Sequence, residues 1–266
     1  MNPRSLTQHR FFVFTGKLAG LLYSLFCYLC FLLTALYLTG FLSGIGVPKD
    51  INSGSSLDWP VAALVDTLLI TLFAVQHSGM ARKRFKRWWT RFVPPPIERA
   101  TYVLSTCLPL ALLFWLWQPM ETPIWRVTSV GGHGLLMALF WLGLGVVVLA
   151  TFLISHFELF GIKQALNAFY PAKPENPAFK TPLLYKLVRH PMYLGFVMVF
   201  WATPDMTAGH LLFALLNTLY ILIGVHFEEK DLLDLFGEQY RRYQQNVAML
   251  VPLTKRKTAP RRNDQK

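Results

Sequence analysis

Charge is scarce in this chain, and acidic charge most of all. Of its 266 residues, 15% are charged and 53% hydrophobic, with 14 Asp or Glu set against 26 Lys or Arg. No charged residue occurs from Leu18 to Val47, from Thr101 to Met120 or from Val127 to Ser155, and Asp66 alone interrupts Trp59 to His77. Crossing a bilayer takes roughly 20 apolar residues, so these runs read as membrane spans and exclude an ordinary soluble domain. Cysteine is nearly missing. Cys27, Cys30 and Cys107 all lie inside the apolar runs, so no disulfide framework is expected, and the C-x-x-C of Cys27 and Cys30 reads as small packing residues. The 7 histidines are scattered and no H-E-x-x-H occurs; His226 with Glu229 makes a poor ligand set, so no metal site is expected. A G-x-G-x-x-G after a strand is also missing, which excludes a soluble dinucleotide-type cofactor domain. The first span is too long for a cleaved signal peptide, and no Arg/Ser-rich presequence leads it.

The charge that is present is unevenly placed. The net charge of +12 invites a nucleic-acid partner, but the distribution argues for a membrane. Basic residues crowd before the first span, between Arg82 and Arg99, between Lys163 and Arg189, and after Lys230, whereas the other loops hold only Lys49 and Arg126. Alternation of basic-rich and basic-poor loops is the positive-inside pattern. The partners expected are therefore the lipid bilayer and a small substrate, with no nucleic acid.

Both termini and the loops at 78–100 and 156–190 fall on the cytoplasmic side, so the chain crosses an even number of times. Four spans are clear, at roughly 18–45, 59–77, 101–118 and 132–155. The apolar region 191–227 is broken by "TPDMTAGH", whose Pro204, Asp205 and Gly209 form a turn. Two short helices making a hairpin, or a re-entrant hairpin, both fit. "MARKRFKRWWTRFVPPPIERATY" mixes basic and aromatic residues before Pro94-Pro95-Pro96 and reads as an interfacial stretch turning back into the membrane. The expected fold is all-α: a polytopic bundle of about five to six membrane segments ending in a helical hairpin. Its parts are an N-terminal segment 1–17, a four-span bundle 18–155, a unit 156–252 of loop, hairpin and C-terminal helices, and a disordered basic tail 253–266. Gly40-x-x-x-Gly44 can pack helices within one chain or between chains.

Two charged constellations bracket the hairpin. Arg189-His190-Pro191-x-Tyr193-x-Gly195 opens it: proline at the first helical position is pre-organised, and the free N–H groups and dipole of that helix end face the membrane surface. Arg189 adds a fork suited to a carboxylate. Glu228-Glu229, followed by Phe236-Gly237, Tyr240 and Tyr243, closes it. Read singly, the first set is a basic stop at a membrane boundary, and the acids are surface partners of Lys230, Arg241 or Arg242. Together they converge, because a hairpin brings its ends side by side, and a mixed-charge pocket suits a zwitterionic cofactor. Gln76-His77-Ser78 ends the second span, with His77 eleven residues after Asp66, about three helical turns on the same face. An aspartate inside a span faces the bundle interior, so His77 is an inward site candidate. Ser155-His156-Phe157-Glu158 follows the fourth span; His156 and Glu158 read equally as loop residues. Glu98, Arg99 and Tyr102 begin the third span as supporting partners.

These residues resemble a known signature. Arg189-His190-Pro191-Met192-Tyr193-Leu194-Gly195, then Glu228-Glu229 through Phe236-Gly237, Tyr240 and Tyr243, resembles the integral-membrane methyltransferases related to isoprenylcysteine carboxyl methyltransferase and nurim. "FAVQHSGMARKRFKRWWTRFVPPPIERATYVL" and "SHFELFGIKQ" are similar, more specifically, to the bacterial methanethiol S-methyltransferases, and the likeness runs from about residue 12 to 252. It implies S-adenosylmethionine bound by Arg189, His190, Pro191, Tyr193, Gly195, Glu228, Glu229, Tyr240 and Tyr243. It also implies methylation of methanethiol to dimethyl sulfide. A thiol acceptor must become the thiolate, and a histidine or carboxylate at the mouth suits that proton transfer, with His77 the leading base candidate and His156 and Glu158 behind it. The expected location is a bacterial inner membrane, with the active site on the cytoplasmic side that the basic-rich loops mark. A methyltransferase for a larger lipid-soluble acceptor and a non-catalytic nurim-like scaffold are the competing readings.

Overall fold

Proline and small polar caps set where the helices start. In the computed structural model, which describes residues 3–170 and 179–252, α2 (Trp59–Ala81), α4 (Pro95–Leu116) and α8 (Pro191–Trp201) each carry proline in the first turn, where the missing N–H costs nothing. The Ser129 hydroxyl accepts from Gly132 N to cap α5 (Val130–Ile154), and the Thr207 hydroxyl accepts from His210 N to cap α9 (Ala208–Phe236). α1 runs Pro3–Ser43, α3 Lys83–Trp89, α6 His156–Leu159, α7 Ile162–Asn167 and α10 Glu238–Asn246. A short antiparallel pair, β1 (Pro123–Arg126) with β2 (Asp205–Thr207), completes the set. The basic tail expected at 253–266 lies outside the described residues.

Five helices, α1, α2, α4, α5 and α9, are long and apolar enough to cross a membrane. Leu36, Leu64, Leu68, Trp115, Leu135 and Leu219 are exposed on them, an outward apolar surface that only lipid satisfies. This is an integral membrane protein of all-α, polytopic build. Inside, Phe41, Phe114, Trp117, Phe140, Phe200 and Phe213 form the aromatic centre of the core.

The two arms of the expected hairpin are unequal. α9 has 29 residues, whereas α8 has 11, about 16 Å of helix against a hydrocarbon core near 30 Å. The rest of the ascent is the extended stretch 202–207. Irregular backbone is tolerated at membrane depth only where protein buries it and satisfies its polar groups, and here both hold. Ala202, Thr203, Met206 and Thr207 are buried. Trp125 Nε1 donates to Thr203 O (3.0 Å), Val127 N to Pro204 O (2.9 Å) and Ala208 N to Thr122 O (2.8 Å). β2 thereby reaches the α4–α5 connection, and α9 returns to the end of the bundle where α8 began.

Small residues let the helices close. A Cβ on Gly195 would lie 2.6 Å from Gly143 O on α5, so this crossing needs glycine on both sides. The Gly40 face is occupied within the chain, since a side chain there would strike Val47 and the Ile45 carbonyl. At the far end of α4, Lys49 Nζ donates to Trp115 O (2.7 Å) and Trp117 O (2.8 Å), and buried Asp66 accepts from Gln118 N (2.9 Å). Helix α4 therefore has its last carbonyls capped by the Lys49 side chain and the next N–H by a carboxyl oxygen. Asp66 and His77 both meet α4, Asp66 just past its C-terminal end and His77 near its middle, at Tyr102 and Thr106.

Candidate functional site

The Arg-His-Pro segment and the stretch that follows the C-terminal helix α10 are stitched together by backbone before any side chain acts. Arg189 N donates to Ala248 O (2.8 Å) and His190 N to Met249 O (3.2 Å). Gly237, at φ 55° and ψ −126°, turns the chain between α9 and α10, a conformation that glycine alone adopts readily. α10 is thus folded back across the start of α8.

That arrangement gives the two adjacent glutamates different surroundings. Glu229 has 15% of its side chain exposed and Glu228 45%. Glu229 Oε1 accepts from Arg189 Nε (2.6 Å) and Tyr240 OH (3.4 Å) and meets His190 Nε2 at 3.1 Å, while Oε2 accepts from Gln244 Nε2 (2.8 Å). Arg189 spends a further nitrogen on Gln244 O (3.1 Å) and Val247 O (2.6 Å). Both carboxylate oxygens of Glu229 are engaged, so this pair serves as a buried clamp. Glu228 stands at its edge, 3.7 Å from His190 Nδ1, with Tyr193 in hydrogen-bonding reach and Tyr185 close by. Tyr193 stacks on His190 with ring centres 5.6 Å apart. Tyr243 donates to Tyr185 O; burial pushes its phenol up to about 12, and burial likewise raises those of Tyr185 and Tyr240, so all three remain neutral donors.

A second polar group adjoins the first through Tyr193. Tyr102 OH lies 3.0 Å from His77 Nδ1 and 3.1 Å from Nε2, and Thr106 Oγ1 lies 3.3 Å from Nδ1. Phe73 stacks on the His77 ring at 5.4 Å. Arg99 covers Tyr102, its guanidinium 4.9 Å from the ring centre, and its Nε donates to Leu159 O (2.8 Å). The hydroxyls of Tyr102, Tyr193 and Tyr220 are electrostatic neighbours.

The structure therefore brings together Arg189, His190, Pro191, Tyr193, Glu228, Glu229, Tyr240 and Tyr243, with His77 alongside. Gly195 faces α5 rather than this cluster. His156 and Glu158 sit elsewhere. His156 bridges Tyr28 OH (2.7 Å, Nε2) and Thr151 Oγ1 (2.8 Å, Nδ1) and stacks on Phe152 at 4.1 Å; burial lowers its pKa. The partner of Glu158 is Lys163 at 2.7 Å, whose hydrogen bond holds the carboxyl below its usual range. Tyr185, Tyr220 and Gln244 are additions that the sequence did not single out. Tyr220 was findable, since it lies two helical turns before Glu228 on one face. Gln244 and Tyr185 carry no local signal.

Fold and site together define a polytopic membrane protein with a titratable mouth at one end of its bundle. No family model and no solved structure matches the chain. Among curated proteins, it is 73% identical over 252 residues to a methanethiol S-methyltransferase of a Pseudomonas strain, covering 95% of this chain and 97% of that one. A second, from Pseudomonas deceptionensis, is 64% identical over 241 residues, covering 91% and 92%. Nurim of Rattus norvegicus is a more distant likeness, 29% identical over 209 residues and covering 74% and 75%. The chain belongs to the methanethiol S-methyltransferase family, and so to the methyltransferases.

Proposed function

We propose that this chain transfers a methyl group from S-adenosylmethionine to methanethiol, releasing dimethyl sulfide, at the Arg189–Glu229 end of the bundle on the cytoplasmic side of a bacterial inner membrane. The single observation that carries the cofactor reading is the contrast within Glu228-Glu229: one carboxylate locked by four donors, its neighbour half-exposed among hydroxyls and an imidazole. The donor set fits the group. A free carboxylate suits an ammonium or a ribose, His190 and the neutral phenols of Tyr185 and Tyr193 offer hydrogen bonds, and an open space in the helix beside Glu228, at Gly224, leaves room. Bound there, the cofactor would supply an activated sulfonium methyl group, with a neutral thioether as the leaving group.

The protein's own residues do the rest. Arg189 and Glu229 hold α10 against α8, so that Tyr240 and Tyr243 stay in place. Glu228 and His190 orient the bound group, because alignment of nucleophile and leaving sulfur is most of what this reaction needs. His77 takes the S–H proton at a ring nitrogen, since the thiolate is the nucleophile, and Tyr102 and Thr106 fix the ring for that transfer. A buried site keeps water from competing for the methyl. The test is S-adenosylmethionine titration of detergent-purified protein by calorimetry, followed by methanethiol addition with headspace detection of dimethyl sulfide. Binding with product formation is the expected result. Binding without product moves the acceptor to a larger lipid-soluble molecule, and no binding by folded protein overturns the enzyme reading.

A further inference from the structure

The joint between α2 and α4 is held at the membrane surface, because both helices are long and apolar enough to span the bilayer and only residues 82–94 connect them. α3 fills most of this joint, and Phe92 N and Val93 N both donate to Trp89 O, which carries helix-like turns on to Val93. At about 100° per residue the side chains fall on three faces. Lys83 and Lys86 turn to the protein: Lys86 Nζ meets Glu98 at 3.0 Å and Lys83 Nζ meets Asp231 at 4.0 Å. Phe85, Trp88, Trp89 and Phe92 make a continuous aromatic stripe, with neighbouring ring centres 5.4 to 6.0 Å apart. Trp88 is 49% exposed on it and Phe92 68%. Arg84, Arg87 and Arg91 form the third stripe, at i, i+3 and i+7. All three are exposed, and among the described residues no acidic side chain pairs with them.

We propose that this joint is a binding site for anionic phospholipid, in which Arg84, Arg87 and Arg91 hold the headgroup phosphate while Trp88 and Phe92 lie among the first acyl carbons. A guanidinium fork matches phosphate oxygens two at a time, and exposed aromatic rings suit the boundary between headgroups and acyl chains. An open cleft of about 340 Å³, lined by Arg82, Arg84, Phe85 and Trp88, lies where the basic and aromatic stripes meet. The division of side chains agrees: the lysines take the protein's own acids, and the arginines, better suited to phosphate, face outward. Three uncompensated cations favour a headgroup of net negative charge over a zwitterionic one. The occupant is a lipid rather than a soluble anion, because the stripe beside the arginines is aromatic and exposed and because a span begins at each end of the joint. Arg82 connects the site to the mouth of the bundle, its guanidinium 4.3 Å from the ring centre of Phe227, the residue before Glu228. Lipid binding here is independent of methyl transfer.

The experiment titrates the full chain, purified in a neutral detergent, with phosphatidylglycerol or phosphatidylcholine. Binding is read as a rise in melting temperature and as quenching of tryptophan fluorescence by the same lipids carrying brominated acyl chains. Phosphatidylglycerol is expected to act at a far lower mole fraction than phosphatidylcholine, and added salt to weaken it. The triple variant Arg84→Gln, Arg87→Gln, Arg91→Gln loses three surface cations that pair with no acid. It is expected to melt with the wild type in detergent alone and to need about 100-fold more phosphatidylglycerol for the same rise. Arg84→Lys, Arg87→Lys, Arg91→Lys restores the charge and is expected to recover most of that loss. Glycerol phosphate, which has no acyl chains, is expected to give no rise. Trp88→Phe is expected to reduce the excess of quenching by brominated phosphatidylglycerol over brominated phosphatidylcholine, and this readout decides the matter if the glutamine variant folds poorly. Equal responses to the two lipids, a wild-type response from the glutamine variant, no recovery by lysine, a full response to glycerol phosphate or unchanged excess quenching in Trp88→Phe would each overturn the site.

Discussion

Replacing Glu229 and Glu228 separately by glutamine tests the division of labour between them. Both substitutions keep side-chain volume and remove one negative charge. At 229 the loss leaves the Arg189 guanidinium, only 7% exposed, without its counter-ion. Breaking a buried pair by removing one partner costs about 3–5 kcal/mol. The figure here falls at the low end, because the amide oxygen still accepts from Arg189 and Arg189 keeps the Gln244 and Val247 carbonyls. The Gln244 amide can flip to meet the new N–H groups. About 3 kcal/mol corresponds to a melting temperature lower by about 6–12 °C, taking 2–4 °C per kcal/mol for a chain of this size. Glu228 is half-exposed and holds no buried charge, so Glu228→Gln is expected to melt with the wild type and to lose cofactor affinity by about 10-fold, the usual cost of one charge-assisted hydrogen bond. The assays are fluorescence-detected melting in detergent and calorimetric titration of S-adenosylmethionine. If Glu229→Gln melts no lower than Glu228→Gln, the clamp is not holding the C-terminal helix, and the reasoning fails.

His77→Ala is expected to lower kcat about 10²–10⁴-fold, the range of general-base removal, with S-adenosylmethionine affinity unchanged; equal losses in both would make His77 a binding residue instead. Burial depresses the pKa of His156 against Tyr28, Thr151 and the surrounding phenylalanines, so the unfolded chain binds a proton there more readily than the folded one. Stability from this group is therefore intact above the ordinary imidazole value near 6.5 and declines as pH falls below it. His156→Gln should flatten that acid limb in melts recorded across pH, and an unchanged limb counts against it. Gly237→Ala places a side chain at φ 55°, ψ −126° and should cost about 1–3 kcal/mol, read as a lower melting temperature and faster proteolytic release of α10.

The membrane character, four of the spans and the break at 202–207 were legible because they depend on composition and local backbone preference. Uncharged runs must lie in lipid, and Pro204, which lacks the N–H a continuing helix needs, falls in the break between α8 and α9. What local preference did not reveal was the inequality of the hairpin. An 11-residue helix followed by extended backbone is viable at membrane depth only because β1 and Trp125, some 80 residues earlier in the chain, satisfy its carbonyls and N–H groups. The convergence of Arg189 and His190 on the Glu228-Glu229 pair was likewise readable, since a hairpin must bring its ends together.

Which groups pair inside that convergence was decided by tertiary structure alone. Lys230, Arg241 and Arg242 were all nearer to Glu229 in sequence than Arg189 is, yet only Arg189 is held facing it, by backbone bonds to Ala248 and the turn at Gly237. His77 and His156 both stand at span ends, and only the face shared with Asp66 set His77 apart in the sequence. They differ because His77 meets Tyr102 beside the cluster, while both nitrogens of His156 are taken by Tyr28 and Thr151. The sequence by itself determined that this chain lives in a membrane, where its helices lie and which charged segments meet, because hydropathy and proline act locally. The tertiary structure decided which glutamate is locked and which is left open, because those depend on distances between residues that only folding brings within a few ångströms.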